Sequence, residues 1–214
     1  MFLCESVAFY GIAADLLAGR ADPRTVFKEF IMPKKIIFIV GSLRAQSFNR
    51  QLANKIASLI GTRAEVSFLE YADVPFMNQD AENPTPPSIA RVRSEVQAAD
   101  GLWICTPEYN AAVPGVLKNL LDWLSRSLVL GDFASGTAVT GKKVTISGVG
   151  GKNATRSSRA DLKKLLDFMR MEVVGGEGTG FSADATAFQT DVLALSDEHV
   201  TAVQKQVTEF LAAV

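Results

Sequence analysis

Three short segments of the chain gather residues whose types and spacing could do chemistry. The first reads Gly41-Ser42-Leu43-Arg44-Ala45-Gln46-Ser47-Phe48-Asn49-Arg50. It sets two hydroxyls, an amide and a guanidinium just ahead of a stretch with helical periodicity. That set suits a terminal phosphate monoester: hydroxyls and backbone N–H groups donate, a helix N-terminus favours the dianion, and Arg44 supplies charge. An ordinary strand-to-helix turn, with Ser47 or Asn49 as N-cap and Arg44 solvated, would use the same residues. The segment has the first glycine of a dinucleotide fingerprint without the other two, and no Gly-Lys-Ser/Thr of a P-loop.

The second segment is Thr106-Pro107-Glu108-Tyr109-Asn110-Ala111-Ala112-Val113-Pro114-Gly115. Two prolines stiffen it, and Pro114 suits the start of a helix. A rigid loop offering backbone N–H groups and an aromatic ring fits a flat heteroaromatic ligand. A turn in which Tyr109 packs and Asn110 caps would look the same. The third segment, Gly148-Val149-Gly150-Gly151-Lys152, resembles half of a P-loop and fails it, because Ile146 stands where glycine is required and Asn153 replaces Ser/Thr. Its glycines would allow close backbone approach to a ligand plane, and a flexible surface turn would need them equally.

These segments sit between regularly alternating elements. Ile36 to Val40 is a continuous apolar run, as in a central parallel strand covered on both faces. Leu52, Ile56, Leu59 and Ile60 then mark a helix by their spacing. Val66 to Leu69 reads as a second strand, and a proline-bearing stretch from Asp73 to Ser88 as a functional loop. Ile89 to Ala99 is a helix, Gly101 to Cys105 a third strand, and Leu117, Leu120, Leu121 and Leu124 mark the next helix. Val144 to Ser147 is a fourth strand, followed by the glycine-rich loop and a helix carrying Leu162, Leu165, Leu166 and Met169. Val173-Val174 makes a short fifth strand, and Val200, Val203, Val207, Phe210 and Leu211 a closing helix. Such β-α units predict an α/β, three-layer, flavodoxin-like fold: a five-stranded parallel sheet in the order 2-1-3-4-5 with helices on both faces. Ligands of such sheets bind beyond the carboxyl ends of the strands at the switch point, so the loops after Val40, Cys105 and Ser147 should converge.

Composition narrows the chemistry further. The chain has 214 residues, 48% of them hydrophobic and 21% charged, and a net charge of −1. That length suits one domain with a sizeable core. The near-neutral balance argues against a nucleic-acid or anionic-lipid partner, and no apolar run approaches the roughly 18 residues of a membrane span. Cys4 and Cys105 cannot build a disulfide framework or a four-cysteine zinc site. His199, the sole histidine, leaves no Ser-His-Asp triad away from itself and no His-rich metal site. Residues 1–31 read as an N-terminal extension, an appendage or an upstream misassigned start, with 32–214 as the domain; a helix packing on that domain is the alternative. Glu5 precedes the first basic residue, Arg20, so a secretory signal is not expected and the chain is read as cytoplasmic.

Taken together, the segments resemble one family. Ser42, Arg44, Ser47 and Asn49 fit a Gly-Ser-x-Arg-x-x-Ser-x-Asn signature. Thr106-Pro107-Glu108-Tyr109-Asn110, followed by Pro114-Gly115, Leu117-Lys118-Asn119, Asp122-Trp123 and Ser125-Arg126, fits a second one. The chain from about Met32 onward thus resembles the NAD(P)H-dependent FMN reductases of the chromate/quinone/azo-reductase type. The resemblance implies a tightly held FMN, with NADPH or NADH as hydride donor. Ser42, Arg44, Ser47, Phe48 and Asn49 would surround its phosphate, and Pro107, Glu108, Tyr109 and Asn110 would lie along the isoalloxazine. Ser147, Gly148, Gly150 and Gly151 would complete the ring site. One departure bears on these last four: the family's Gly-Gly-x-Arg lies close to the fourth helix, whereas Arg156 here stands apart from Gly150-Gly151.

The inventory suits that chemistry, because flavin N5 accepts hydride without a protein nucleophile or base. No protein catalytic residue and no metal are expected. Cys105, within a strand, reads as a buried structural thiol, and His199 as uninvolved. A phosphoacceptor receiver domain shares the topology but needs acidic residues where Gly41-Ser42 and Thr106-Pro107 stand. Two other readings stay open: a one-electron carrier of the flavodoxin type, and a protein holding FMN as a structural or sensory ligand. The partner expected is a small-molecule electron acceptor (quinone, azo or nitro compound, metal oxyanion such as chromate, or free flavin). The Asp73–Ser88 loop would shape the acceptor pocket. Val116 and Trp123, beside the leucine stripe, suggest an apolar face wide enough for a homodimer or homotetramer.

Overall fold

The computed structural model describes residues 33–129 and 131–214; the extension expected over residues 1–31 lies outside the described residues. In chain order the strands are β1 (Lys35–Val40), β2 (Glu65–Phe68), β3 (Gly101–Cys105), β4 (Ser127–Val129), β5 (Asp132–Thr137), β6 (Lys143–Gly150), β7 (Glu172–Val173) and β8 (Thr179–Ser182). The α-helices are α1 (Phe48–Ile60), α2 (Pro87–Ala98), α3 (Gly115–Leu124), α4 (Arg156–Phe168), α5 (Ala185–Thr190) and α6 (Asp197–Ala213).

Side-chain alternation along the central strands builds the layers. Ile37 and Ile39 of β1, Leu102 and Ile104 of β3, and Val144 and Ile146 of β6 face a core closed by α2, α3 and α4. Ile36, Phe38 and Val40, with Trp103 and Cys105, face a second core closed by α1 and α6. Phe38 and Trp103 are opposite each other in the parallel β1–β3 register, and their rings stack at 5.6 Å. Phe210 of α6 meets the Trp103 ring edge-on at 5.3 Å. The result is a three-layer α/β flavodoxin-like fold, with the parallel order β2-β1-β3-β6 that the sequence predicts.

The edge differs from expectation. The fifth position is shared by two short strands, so the sheet has six: β7 pairs with the start of β6, and β8 pairs with Ser147–Gly150. Consequently β6 runs on to Gly150, and Gly148, Val149 and Gly150 are strand rather than the predicted loop. The sequence hides β8 because Thr179-Gly180-Phe181-Ser182 carries a glycine and follows Gly175, Gly176 and Gly178. Those three have φ of +78°, +62° and +65°, which carries the chain from one short strand to the next. The antiparallel β4–β5 hairpin and α5 are further elements without a clear periodic signal.

A buried polar network heals the seam between β7 and β8. Gln206 of α6 donates from Nε2 to Thr145 Oγ1 at 2.8 Å and to the Ile146 carbonyl at 2.7 Å. Its Oε1 accepts from Ser147 Oγ at 3.0 Å and Thr179 Oγ1 at 2.6 Å, while Trp103 Nε1 donates to Ser147 Oγ at 3.0 Å. One side chain thus satisfies groups of β6 and β8 where the edge changes strand. Gln206→Leu removes those partners while keeping bulk, and should cost about 1–3 kcal/mol, the range for leaving buried polar groups unpaired. Urea unfolding measures this; an unchanged midpoint would show that the seam is held by the strands alone.

Candidate functional site

The loops after β1 and β3 are drawn together by backbone. Gly41 N donates to the Cys105 carbonyl at 2.8 Å. A Cβ on Gly41 would lie 3.1 Å from Pro107 Cδ and 3.2 Å from Leu117 Cδ2, tighter than ordinary contacts. Ser47 then caps α1, its hydroxyl accepting from Asn49 N at 3.2 Å. The Asn49 carboxamide bonds both ways with one residue of β6: Nδ2 donates to the Val149 carbonyl at 2.9 Å, and Val149 N donates to Oδ1 at 2.9 Å. The first and third segments are therefore joined by a side chain that imitates a strand.

The second segment is pinned from below. Thr106 Oγ1 lies 3.1 Å from Ser158 Oγ. The Glu108 carboxylate accepts from Asn153 Nδ2 at 2.8 Å and from Ser158 N at 3.0 Å, capping α4, whose own N-cap residue Thr155 makes no side-chain cap bond. Burial pushes the Glu108 carboxyl up, but the Asn153 amide, the Ser158 and Ser157 backbone N–H groups and the Arg159 charge together outweigh it and hold it below the usual range. Tyr109 and Ala112 close a tight turn with paired backbone bonds of 3.3 and 3.1 Å. Asn110 and Ala111 both take left-handed φ, +54° and +58°; an asparagine accepts this readily, an alanine only under strain.

A cleft of about 390 Å³ opens where these segments meet, at the carboxyl ends of β1 and β3. Ser42, Arg44, Ser47, Phe48, Asn49, Pro107, Glu108, Tyr109, Gly150 and Gly151 line it, with Val149, Phe188 and Asp191. The Tyr109 ring is half exposed, and its hydroxyl is 3.4 Å from Ser42 Oγ. Arg44 lies over the Phe48 ring at 5.4 Å and pairs with Asp191 at 2.6 Å. α1 has no acidic residue in its first turn, so its own sequence does nothing to offset its positive end. Hydroxyls, a guanidinium and a thirteen-residue helix N-terminus fit a phosphate, while Pro107, Tyr109 and the bare Gly150–Gly151 backbone fit the flat ring system of a flavin. Among the described residues no group of three or more His, Cys, Asp or Glu could hold a metal ion.

The family model for NADPH-dependent FMN reductases matches residues 34–185. The chain belongs to that family. It is 45% identical over 95 residues to the 2-hydroxy-1,4-benzoquinone reductase of a Burkholderia species, a match spanning 44% of this chain and 52%, about half, of that protein. It is 29% identical over 174 residues to an NAD(P)H-dependent FMN reductase of Pseudomonas aeruginosa, covering 80% and 90% of the two chains. A quinone reductase of Pseudomonas putida is 36% identical over 140 residues, 64% of this chain and 74% of its own. Among solved structures, the flavoenzyme NAD(P)H:(acceptor) oxidoreductase FerB of Paracoccus denitrificans superposes with a TM-score of 0.73 at 26% identity, over 84% of this chain and 96% of that one. The family and these neighbours make the chain an FMN-dependent oxidoreductase of the NAD(P)H-using kind.

Three residues expected at the ring are not among those that line the cleft. Asn110 is at the exposed turn and is not among the cleft-lining residues. Ser147 is fully buried in the Gln206 network on the α6 side of the sheet. Gly148 serves packing: a Cβ there would come within 2.2 Å of Thr155 Oγ1 and 2.5 Å of the Thr106 carbonyl. Gly148 is outside the cleft because β6 extends through it, whereas Ser147, within the strand as expected, turns its hydroxyl to Gln206. No residue from Asp73 to Ser88 lines the cleft either; that loop is tied to α3, with Trp123 Nε1 and Asn119 Nδ2 donating to the Pro75 carbonyl at 2.8 and 2.9 Å. Cys105 is fully buried and burial pushes its thiol far up, while His199 packs on Phe181 at 4.7 Å, both away from the cleft. Phe188 and Asp191 are lining residues without a forecast, since nothing in their local sequence is periodic or motif-like.

The two kinds of glycine can be separated by experiment. Gly148→Ala overpacks a closed site and should destabilise by about 1–3 kcal/mol. Gly151→Ala meets open space and should stay within about 0.5 kcal/mol of the parent. Urea midpoints of the two variants measure the difference, and equal values would mean that β6 is not packed as described.

Proposed function

We propose that the protein takes hydride from NADPH or NADH onto bound FMN and passes the electron pair to small-molecule acceptors. Quinones lead that class, with azo and nitro compounds, metal oxyanions such as chromate, and free flavin as further members. The observation that carries this reading is the convergence of a phosphate-suited loop, a stiff aromatic loop and a glycine backbone in one cleft at the switch point. Relatives that are quinone reductases support the acceptor class. FMN, when bound, supplies a hydride-accepting N5. The chain's own residues hold and orient: Ser42, Ser47, Arg44 and the α1 N-terminus at the phosphate, Pro107 and Tyr109 along the ring. Glu108, the acid nearest that wall, is spent on capping α4 and is not a proton donor to substrate.

Purified protein should carry a flavin spectrum that anaerobic NADPH or NADH bleaches directly, and steady-state kinetics should be ping-pong. A flavin that neither nicotinamide bleaches would overturn the reductase reading in favour of a one-electron carrier. Arg44→Ala should weaken FMN by about tenfold to a hundredfold, the worth of a charge-assisted hydrogen bond, and leave riboflavin nearly unaffected. Fluorescence titration reads both ligands.

The same reading makes 32–214 the catalytic domain, 1–31 an extension outside it, and the cytoplasm the site of action; among the described residues no helix is long and apolar enough to cross a membrane. A homodimer or homotetramer is also proposed, on altered grounds. Trp123 is fully buried, with its N–H spent on Pro75, so it is core and offers no outer face. Exposed apolar residues adjoining α3 in the chain or through the Pro75 loop instead include Phe76, at 88% exposure, and Leu128 and Val129 of β4. Phe76 sits on the loop tied to α3, which Arg126 also clamps through two 2.9 Å bonds to Glu82. Light scattering at micromolar concentration should give a multiple of the chain mass, and Phe76→Asp should lower it; a monomeric parent protein ends the proposal.

A further inference from the structure

Arg44, the cation of the cleft's phosphate end, already has an anion. Its Nη1 lies 2.6 Å from Oδ1 and 2.8 Å from Oδ2 of Asp191, a residue outside all three signature segments. The placement is built rather than incidental. Asp184 caps α5 by accepting from Ala187 N at 2.7 Å, and α5 ends at Asp191, whose N donates to the Ala187 carbonyl at 2.8 Å. Asp191 itself is left-handed, with φ of +59°. Gln51, one turn into α1, grips the chain on both sides of it: Nε2 donates to the Asp191 carbonyl at 2.9 Å, and Oε1 accepts from Leu193 N at 2.8 Å. Phe188 of α5 meets the Phe48 ring edge-on at 5.4 Å, and Phe48 lies beneath Arg44. The carboxylate is thus held beside the guanidinium by backbone and aromatic contacts independent of the ion pair.

We infer that Asp191 is a specificity-determining residue of the cleft, a built-in counter-ion that offsets Arg44 and lowers the hold on phosphorylated flavin relative to riboflavin. The inference rests on the reading of this cleft as the flavin phosphate site. A phosphate arriving at Arg44 must share the guanidinium with a fixed carboxylate or displace it, and either course opposes a dianion more than a neutral ligand. Both partners are about half exposed, 50% and 47%, so the effect is moderate and screened by salt. It also gives α5 a function that the catalytic reading leaves unassigned: it brings a negative charge to a helix N-terminus whose own first turn has none.

The test compares parent protein, Asp191→Asn and Arg44→Ala. Asparagine keeps the size and tolerates the left-handed turn, so it removes charge without removing the fold. Titration with FMN and riboflavin by flavin fluorescence should show Asp191→Asn binding FMN about two- to fivefold more tightly, with riboflavin unchanged and the gain fading at high salt. Weaker or unchanged FMN binding in Asp191→Asn would overturn the proposal, since a residue that merely positions Arg44 would behave so. A second arm needs no flavin. Inorganic phosphate, against sodium chloride of matched ionic strength, should bind Asp191→Asn more tightly than the parent, and Arg44→Ala more weakly, by calorimetric titration. Equal phosphate affinity in the parent and Asp191→Asn would overturn the counter-ion role. Absence of flavin binding by all three proteins would instead refute the proposed function, with the phosphate arm still deciding the ion pair.

Discussion

The cleft depends on one carboxamide. Asn49 pairs through both its amide groups with the backbone of Val149, a hundred residues away in sequence, in the manner of a neighbouring strand. Without that bridge the end of β6 would lack a partner on this side and the first turn of α1 would have no fixed position over the sheet. Because Asn49 N also donates to the Ser47 hydroxyl, the same residue sets the cap of α1. The direction of the helix N-terminus, the site of the Ser42 and Ser47 hydroxyls and the nearness of the Gly150–Gly151 backbone are then consequences of one buried interaction. Asn49, expected from the sequence beside a phosphate, lines the cleft here and has its carbonyl and one of its two amide N–H donors engaged by Val149.

A similar transfer of role runs through the neighbouring polar groups. Glu108 caps α4 from another loop, Thr106 meets Ser158, and Ser147 belongs to the Gln206 seam. Each is a polar side chain beside a ligand cleft whose hydrogen-bonding capacity is spent within the protein. Buried polar networks of this kind are stabilising only when complete, since each unpaired member costs on the order of 1–3 kcal/mol. The signature residues are therefore constrained twice, by the cleft they frame and by the loops they lock together.

This double constraint explains what the sequence made legible. The central strands were evident because β1 and β3 are buried on both faces and so consist of unbroken apolar runs. The helices other than α5 were evident because each has one buried stripe, such as Leu117, Leu120, Leu121 and Leu124 in α3. The loops after β1 and β3 were recognisable by their dense, fixed chemistry. The edge was not legible: β7 has two residues, β8 four with a glycine among them, and their identity as strands comes from pairing with β6. The length of β6 depends on that pairing, so the glycines assigned to a loop fell into the sheet. Trp123 misled in the opposite sense, since its surplus over the leucine stripe is absorbed by a loop folding onto α3 rather than by a second chain. Asp191 and Phe188 left no trace because contacts distant in sequence place them, Gln51 bonding the Asp191 carbonyl across 140 residues and Phe48 meeting the Phe188 ring.

The division of labour that results is one a cofactor protein requires. When reactive electrons reside on a bound ring, side chains near it need not titrate or attack; they must not move. The wall formed by Pro107 and Tyr109 is held by a strained turn in which Ala111 takes a left-handed conformation, and by a carboxylate committed to α4. Strain of this kind persists only where the surroundings over-determine the backbone, and here proline, a helix cap and a cross-loop hydroxyl pair do so. Among the described cleft-lining residues, Arg44 and Asp191 form a charged pair about half open to solvent. On the proposed function, rigidity is concentrated where the ring would be oriented and adjustable charge where its phosphate would be gripped, so affinity could be tuned at one end of the cleft without disturbing the geometry of transfer at the other.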